Sequence, residues 1–335
     1  MQPIESTQGE NQTVVTVFIL LGFGDLPQLH ILLFLVFLAI YIMTMSGNIL
    51  IIVLLLTDQH LQTPMYFFLG NLSFLEICYI SNIIPRMLGS FLTGDKTISI
   101  TGCMTQMYTF GTLSASECYL LALMSYDRYI AICKPLHYSV LMNLRISILL
   151  ATCCWVSGFT SSMVVMAFAS SWSFCKSNEI DHFFCDLPSL TELSCSDTRL
   201  AELALTVVCG IISMFPTVLT LTSYICIISI ILKIPTTTGK QKAFSTCSSH
   251  LIVVTVFYGS IFAVYMVPSA DHSKNMKKTF SVFYTAVTPL FNPLIYTLRN
   301  KEVIRALRKC LGKPISFTRL QIDHFIHMYQ KPNSC

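Results

Sequence analysis

Residues 124–133 read MSYDRYIAIC. The stretch before them, from Thr101 to Tyr126, carries a single charge, Glu117, and then Asp127 and Arg128 stand side by side. Charges are expensive inside hydrocarbon and cheap where a helix meets water. The pair therefore marks the wet end of a buried segment.

The composition agrees. Hydrophobic residues make up 53% of the 335-residue chain and charged residues 11%, whereas soluble domains carry about 25% charged residues. So few charges cannot solvate a globule of this length, and the chain reads as a polytopic membrane protein. Its net charge of +4 is too small to point to nucleic acid. Seven uncharged or nearly uncharged runs cover 29–56, 64–89, 100–126, 144–168, 201–231, 246–268 and 279–298. Each reaches the ~20 residues that cross a ~30 Å hydrocarbon core as a helix. Pro216, Pro289 and Pro293 fall inside runs, where spanning helices tolerate them. No run alternates in polarity as a lipid-facing barrel requires. The expected fold is an all-α membrane protein, a seven-transmembrane helix bundle over residues 29–298. Residues 1–28 precede it and 299–335 follow it.

Basic residues orient the bundle. Of 21 Lys and Arg, 14 fall on one side: Arg128, Lys134 and Arg145, then Lys233, Lys240 and Lys242, and eight after residue 298. Residues 1–28 have none. The positive-inside rule puts the N-terminal segment outside and the C-terminal tail in the cytoplasm. Residues 1–28 lack the basic start and apolar centre of a cleavable signal, so the first run is expected to act as its own insertion signal. Asn11 opens a glycosylation sequon on the expected outer side. Cys103, Cys175, Cys185 and Cys195 all belong to that side. Four thiols in an oxidising compartment suggest two disulfides, with three pairings open. His182, Cys185 and Asp186 also form a His-x-x-Cys-Asp pattern that suits a soft metal.

Polar residues at membrane depth need partners. Glu76 and Glu117 come near mid-membrane by helical rise, and Asn48 and Asn292 lie well inside their runs. Each Glu is either protonated and hydrogen-bonded, or the two share a cation, most simply sodium. Along the third run, Phe110, Gly111, Ser114, Ala115 and Cys118 recur at helical spacing and share one face above Glu117. None is charged, so a cationic amine has no counter-ion there.

Longer strings carry a resemblance. They are Gly47-Asn48, PMYFFL (64–69), MSYDRYIAICKPLHY (124–138), Ser223-Tyr224, KAFSTCSSHL (242–251) and PLFNPLIY (289–296). In this order they resemble class A, rhodopsin-like G-protein-coupled receptors, and within them the odorant receptors of tetrapods. The resemblance runs from about Leu20 to Lys309. Ser125 stands where the family usually has Ala, and Phe291 where Leu is common. The tail beyond Lys313 matches no motif.

The resemblance implies disulfides Cys103–Cys185 and Cys175–Cys195. It implies a switch at the inner end: Asp127, Arg128 and Tyr129 hold the cytoplasmic face closed. On activation the sixth helix swings out, Tyr224 and Tyr296 reach toward Arg128, and Asn292 and Pro293 lie in the seventh-helix motif. An olfactory-type stimulatory G protein then engages and cyclic AMP rises. Lys301 to Cys310 would be a short amphipathic helix on membrane lipid. The implied ligand pocket adds Val208, Cys209 and Ile212, then Tyr258, Ile261, Phe262 and Tyr265, and Thr285. The implied ligand is a small, mostly apolar odorant, and the implied location is the plasma membrane. No cofactor is implied beyond the candidate sodium ion. An enzyme is disfavoured, because no nucleophile–base pair or phosphate-cradling loop appears. The rival class is a transporter or channel, since buried acids often line ion paths, but the inverted repeats of transporters are missing.

Overall fold

The computed structural model describes residues 15–24, 27–174, 177–195, 199–233, 235–265, 273–299 and 301–311. Among them, seven long helices form the bundle. The first six are Pro27–Thr57, Pro64–Thr93, Ile100–Cys133, Leu144–Ala169, Arg199–Lys233 and Thr237–Tyr265. The seventh runs without a break through Ser273–Val282, a π turn at Phe283–Val287, and Thr288–Arg299. A terminal helix, Lys301–Leu311, follows.

Local chemistry sets the ends. Pro64 opens the second helix, where its missing N–H costs nothing. Gly94 closes that helix at φ +73°, a left-handed value that favours glycine. Ser99 caps the third helix by accepting from Gly102 N–H, and Asn143 caps the fourth by accepting from Ile146 N–H. Apolarity predicts where the chain is buried, not where a helix stops. The sixth helix therefore begins at Thr237, ahead of its apolar run, and the third continues past Asp127 to Cys133.

Among the described residues, four helices are long and apolar enough to cross a membrane by length and composition: Leu29–Thr57, Pro64–Thr93, Leu144–Ala169 and Gly210–Lys233. Large apolar side chains stand bare on the outer surface, among them Ile31, Met163, Phe215 and Ile225, each more than 60% exposed. A water-facing surface does not carry such a belt, whereas lipid covers it without cost.

The third helix is central and packs on the second, fourth, fifth and sixth. Its close approach to the fourth depends on Gly158, where a Cβ would fall 2.1 Å from Ser116 Oγ and 2.6 Å from the Thr112 carbonyl. At the disulfide end, strands that the hydropathy pattern does not signal form a small sheet. Val17–Leu20 (β1) lies between Thr97–Ser99 (β2, antiparallel) and Glu179–Ile180 (β3, parallel). Below it Phe18, Leu20, Ile98, Trp172, Ile180 and Leu190 form a separate apolar cluster around Cys103 and Cys185.

Candidate functional site

Cys103 and Cys185 are joined as a disulfide, which ties the long loop to the start of the third helix. Cys185 sulfur is therefore committed, and the soft-metal reading of His182, Cys185 and Asp186 fails for lack of a free thiol. Among the described residues no group of three or more His, Cys, Asp or Glu could hold a metal ion. Cys195 is also disulfide-bonded. Cys175 and Asn11 lie outside the described residues.

Gln106 locks the loop in place. Its Nε2 donates to the Asn82 carbonyl at 3.0 Å, and its Oε1 accepts from Cys185 N–H at 3.0 Å. The preceding loop residue, Phe184, is thereby set over Phe110, with ring centroids 4.8 Å apart. Tyr79 at 5.4 Å and Tyr284 at 6.0 Å complete an aromatic nest around Phe110. The loop is clasped to the seventh helix as well. Lys278 Nζ meets Asp181 Oδ1 at 2.6 Å, and His182 Nε2 lies 3.3 Å from Ser281 Oγ. Burial holds the His182 imidazole below its ordinary pKa, with Asp186 and Asp181 opposing and Lys278 reinforcing.

Below Phe110, Ala115 and Cys118 are buried and Ser114 is half-buried. Tyr258 O–H donates to the Cys118 carbonyl at 2.8 Å, so the sixth helix contacts this face directly. Ile261 is buried above Tyr258, and Phe262 packs beside it half-buried. Thr285 is buried and donates to the Ser281 carbonyl at 2.6 Å. Ile212 is half-buried on the fifth helix. Val208, Cys209 and Tyr265 lie on helices, but their side chains are outside the description. Gly111 departs from the expected arrangement. A Cβ there would meet Ser162 Oγ at 2.9 Å, so Gly111 belongs to the seam with the fourth helix.

Deeper in the bundle Asn292 Nδ2 donates to Glu76 Oε1. Asn48 Nδ2 donates to the Thr44 carbonyl at 3.1 Å. Glu76 Oε2, Asn48 Oδ1, Asn292 Oδ1 and both Glu117 oxygens are buried with no hydrogen-bond partner among the described residues. Pro293 packs against Gly47, where a Cβ would come within 2.9 Å of the ring.

At the other end Asp127 is fully buried. It accepts from Arg128 Nη2 at 2.8 Å and Nε at 3.3 Å. Tyr138, from the loop after the third helix, donates to the other oxygen at 2.9 Å. Tyr138 stands in the quoted string, but its role depends on the loop folding back. Tyr224 O–H lies 2.5 Å from His250 Nδ1, which links the fifth helix to the sixth. Tyr129 stacks on Tyr126 at 6.2 Å. The side chain of Tyr296 is outside the description. The terminal helix is tied down by Tyr66 O–H to Glu302 at 2.9 Å and Lys309 to Asp58 at 3.4 Å.

The model of a family described as "Olfactory receptor" matches residues 37–313. The chain belongs to the olfactory receptor family. Human olfactory receptor 11A1 is 50% identical over 90% of this chain and 95% of its own. Human olfactory receptor 10A5 is 49% identical over 91% and 97%. Mouse olfactory receptor 5AR1 is 46% identical over 91% and 98%. The crystal structure of squid rhodopsin superposes with a TM-score of 0.66 over 85% of this chain and 86% of its own, at 15% identity, which establishes the shared fold. The olfactory receptor is thus a rhodopsin-like G-protein-coupled receptor and not an enzyme, and coupling to a G protein follows from the family.

Proposed function

We propose that this olfactory receptor binds a small, mostly apolar, volatile ligand on the inner face of the third helix and raises cyclic AMP through an olfactory-type stimulatory G protein. The observation that carries the reading is the uncharged face from Phe110 to Cys118, roofed by Phe184 and touched by Tyr258. Such a face selects by shape, and the Ser114 and Thr285 hydroxyls add one or two directional contacts. Phe110, Ser114, Ala115, Cys118, Ile212, Tyr258, Ile261, Phe262 and Thr285 form the proposed pocket, joined by Val208, Cys209 and Tyr265. The ligand acts by binding the open bundle better than the closed one, since equal affinity shifts nothing.

In the same reading Asp127 and Arg128 hold the closed state, supported by Tyr138. Tyr224, Asn292, Pro293 and Tyr296 rearrange as the sixth helix moves. Residues 1–28 face outward with Asn11 glycosylated and Cys175 paired to Cys195. Residues 29–298 span the plasma membrane, and 299–335 lie in the cytoplasm. Glu76 and Glu117 hold a sodium ion or protons between them; their unpartnered oxygens suit either. The test is an odorant panel on cells co-expressing the receptor with the olfactory-type α subunit, reading cyclic AMP. Ligand-evoked ion flux without any G protein would replace this reading with the channel class.

A further inference from the structure

The aromatic nest around Phe110 contains a hydrogen-bond donor with nothing to donate to. Tyr79, from the second helix, is 1% exposed, and its ring lies 5.4 Å from that of Phe110. Its hydroxyl stands by Ser114, one helical turn below Phe110, with Glu117 and Cys118 of the third helix and Tyr284 of the seventh near enough to act on it electrostatically. None of them takes its proton in hydrogen-bond geometry. The phenol oxygen is buried without a partner among the described residues. A buried hydroxyl left unpaired costs free energy, and native interiors rarely keep one.

Neighbouring hydroxyls have already committed their protons. Tyr258 donates to the Cys118 carbonyl at 2.8 Å, Thr285 to the Ser281 carbonyl at 2.6 Å, and Tyr284 to Ser281 Oγ at 3.4 Å. Each of these can offer a ligand only lone pairs. Tyr79 still has a proton to give, and the half-buried Ser114 hydroxyl beside it can add a second. A carbonyl oxygen matches that pair, because it has two lone pairs and brings no proton needing an acceptor of its own. A hydrocarbon of the same shape would leave the phenol unpaired.

We propose that Tyr79 sets the ligand class of the receptor: its phenol, with Ser114, donates to the carbonyl oxygen of a small ketone, aldehyde or ester whose hydrocarbon part lies against Phe110. This names the chemistry of the odorant face proposed above and rests on that reading.

The test uses full-length receptor in cells with the olfactory-type α subunit, reading cyclic AMP, and surface receptor by antibody. The probes are n-alkan-2-ones and n-alkanals from hexyl to decyl length, each paired with the alkene in which a terminal methylene replaces the oxygen. On wild type each carbonyl compound is expected to be about tenfold more potent than its alkene. Tyr79→Phe, which removes one oxygen and keeps the ring, should raise the half-effective concentration of the carbonyl compounds about tenfold and leave the alkenes unchanged. Ser114→Ala should act in the same direction, so the preference is still tested if Tyr79→Phe fails to reach the surface. Unchanged carbonyl potency in surface-expressed Tyr79→Phe overturns the proposal. An equal loss for carbonyl compounds and alkenes also overturns it, by making the phenol structural. Higher potency of the corresponding alkan-2-ols than of the ketones would reassign the site to hydroxyl ligands. A Tyr79→Phe receptor altered only in its sodium dependence would assign the phenol to Glu117 instead. A receptor that answers the panel without preferring carbonyls fails this inference alone, whereas silence toward every odorant fails the odorant reading and this one with it.

Discussion

Adjacent residues on a helix diverge, yet Arg128 folds back onto Asp127 at 2.8 Å. Burial explains why: the Asp127 carboxylate is inaccessible to water, and Arg128 with Tyr138 replaces its hydration. Removing the cation also removes the group toward which Tyr224 and Tyr296 are proposed to reach on activation. Arg128→Ala is therefore expected to abolish odorant-driven cyclic AMP while surface receptor stays detectable by antibody; full signalling would reject the switch. Gly158 makes a purely structural demand. Gly158→Ala should cost about 1–3 kcal/mol by forcing the third and fourth helices apart, read as a lower melting temperature of the purified receptor. This seam shows where sequence reasoning stops. Spacing places Gly111 on the same face as Phe110, and the backbone agrees, but that face is wide enough to meet both the interior and the fourth helix. Which of the two Gly111 touches depends on Ser162, about fifty residues away, and no local pattern encodes that. Asp127, Arg128 and the buried Glu76 and Glu117 were legible because charge in an apolar run is rare.

The long loop is an element in its own right. Cys185 and Gln106 fix one side of it, and Asp181 and His182 clasp the other to the seventh helix. Cys103→Ser and Cys185→Ser are each expected to cost about 2–4 kcal/mol and to cut surface delivery. The double variant should be no worse than either single, measured by flow cytometry on intact cells. His182 adds a pH dependence. Its folded pKa lies below the ordinary 6.5 because it is buried, so the unfolded chain takes up the proton more readily. Stability is full above about pH 6.5 and falls as pH drops below it, until the folded imidazole itself titrates. The melting temperature should therefore fall from pH 7.5 to 5.5, and His182→Gln should shrink that fall. The seven long helices were readable from their apolar runs. The strands of the sheet were not, because β1 is four residues long and its partners are remote in sequence.

Across the whole molecule, polar groups follow the axis of the bundle, from the clasp through Glu117 and Glu76 to Asp127, while the outer surface is apolar. The centre of that axis is where an ion would be felt. If sodium is shared, Glu117→Gln should reduce the sodium dependence of odorant potency, and Glu76→Gln should act in the same direction. An unchanged sodium response in both would assign protons to the pair. The opposite end of the axis carries a different consequence, one of timing. β1 is the middle strand of its sheet, yet it is made first. Its partner β2 begins about 77 residues later and β3 about 160 residues later. At about 5–20 residues per second, β1 has left the ribosome on the order of ten to thirty seconds before β3 exists. Until β2 is made both edges of Val17–Leu20 lack partners, and the edge that pairs with β3 stays open until the loop after the fourth helix has been made. Folding of this receptor is thus exposed, in that window, to whatever binds an open strand.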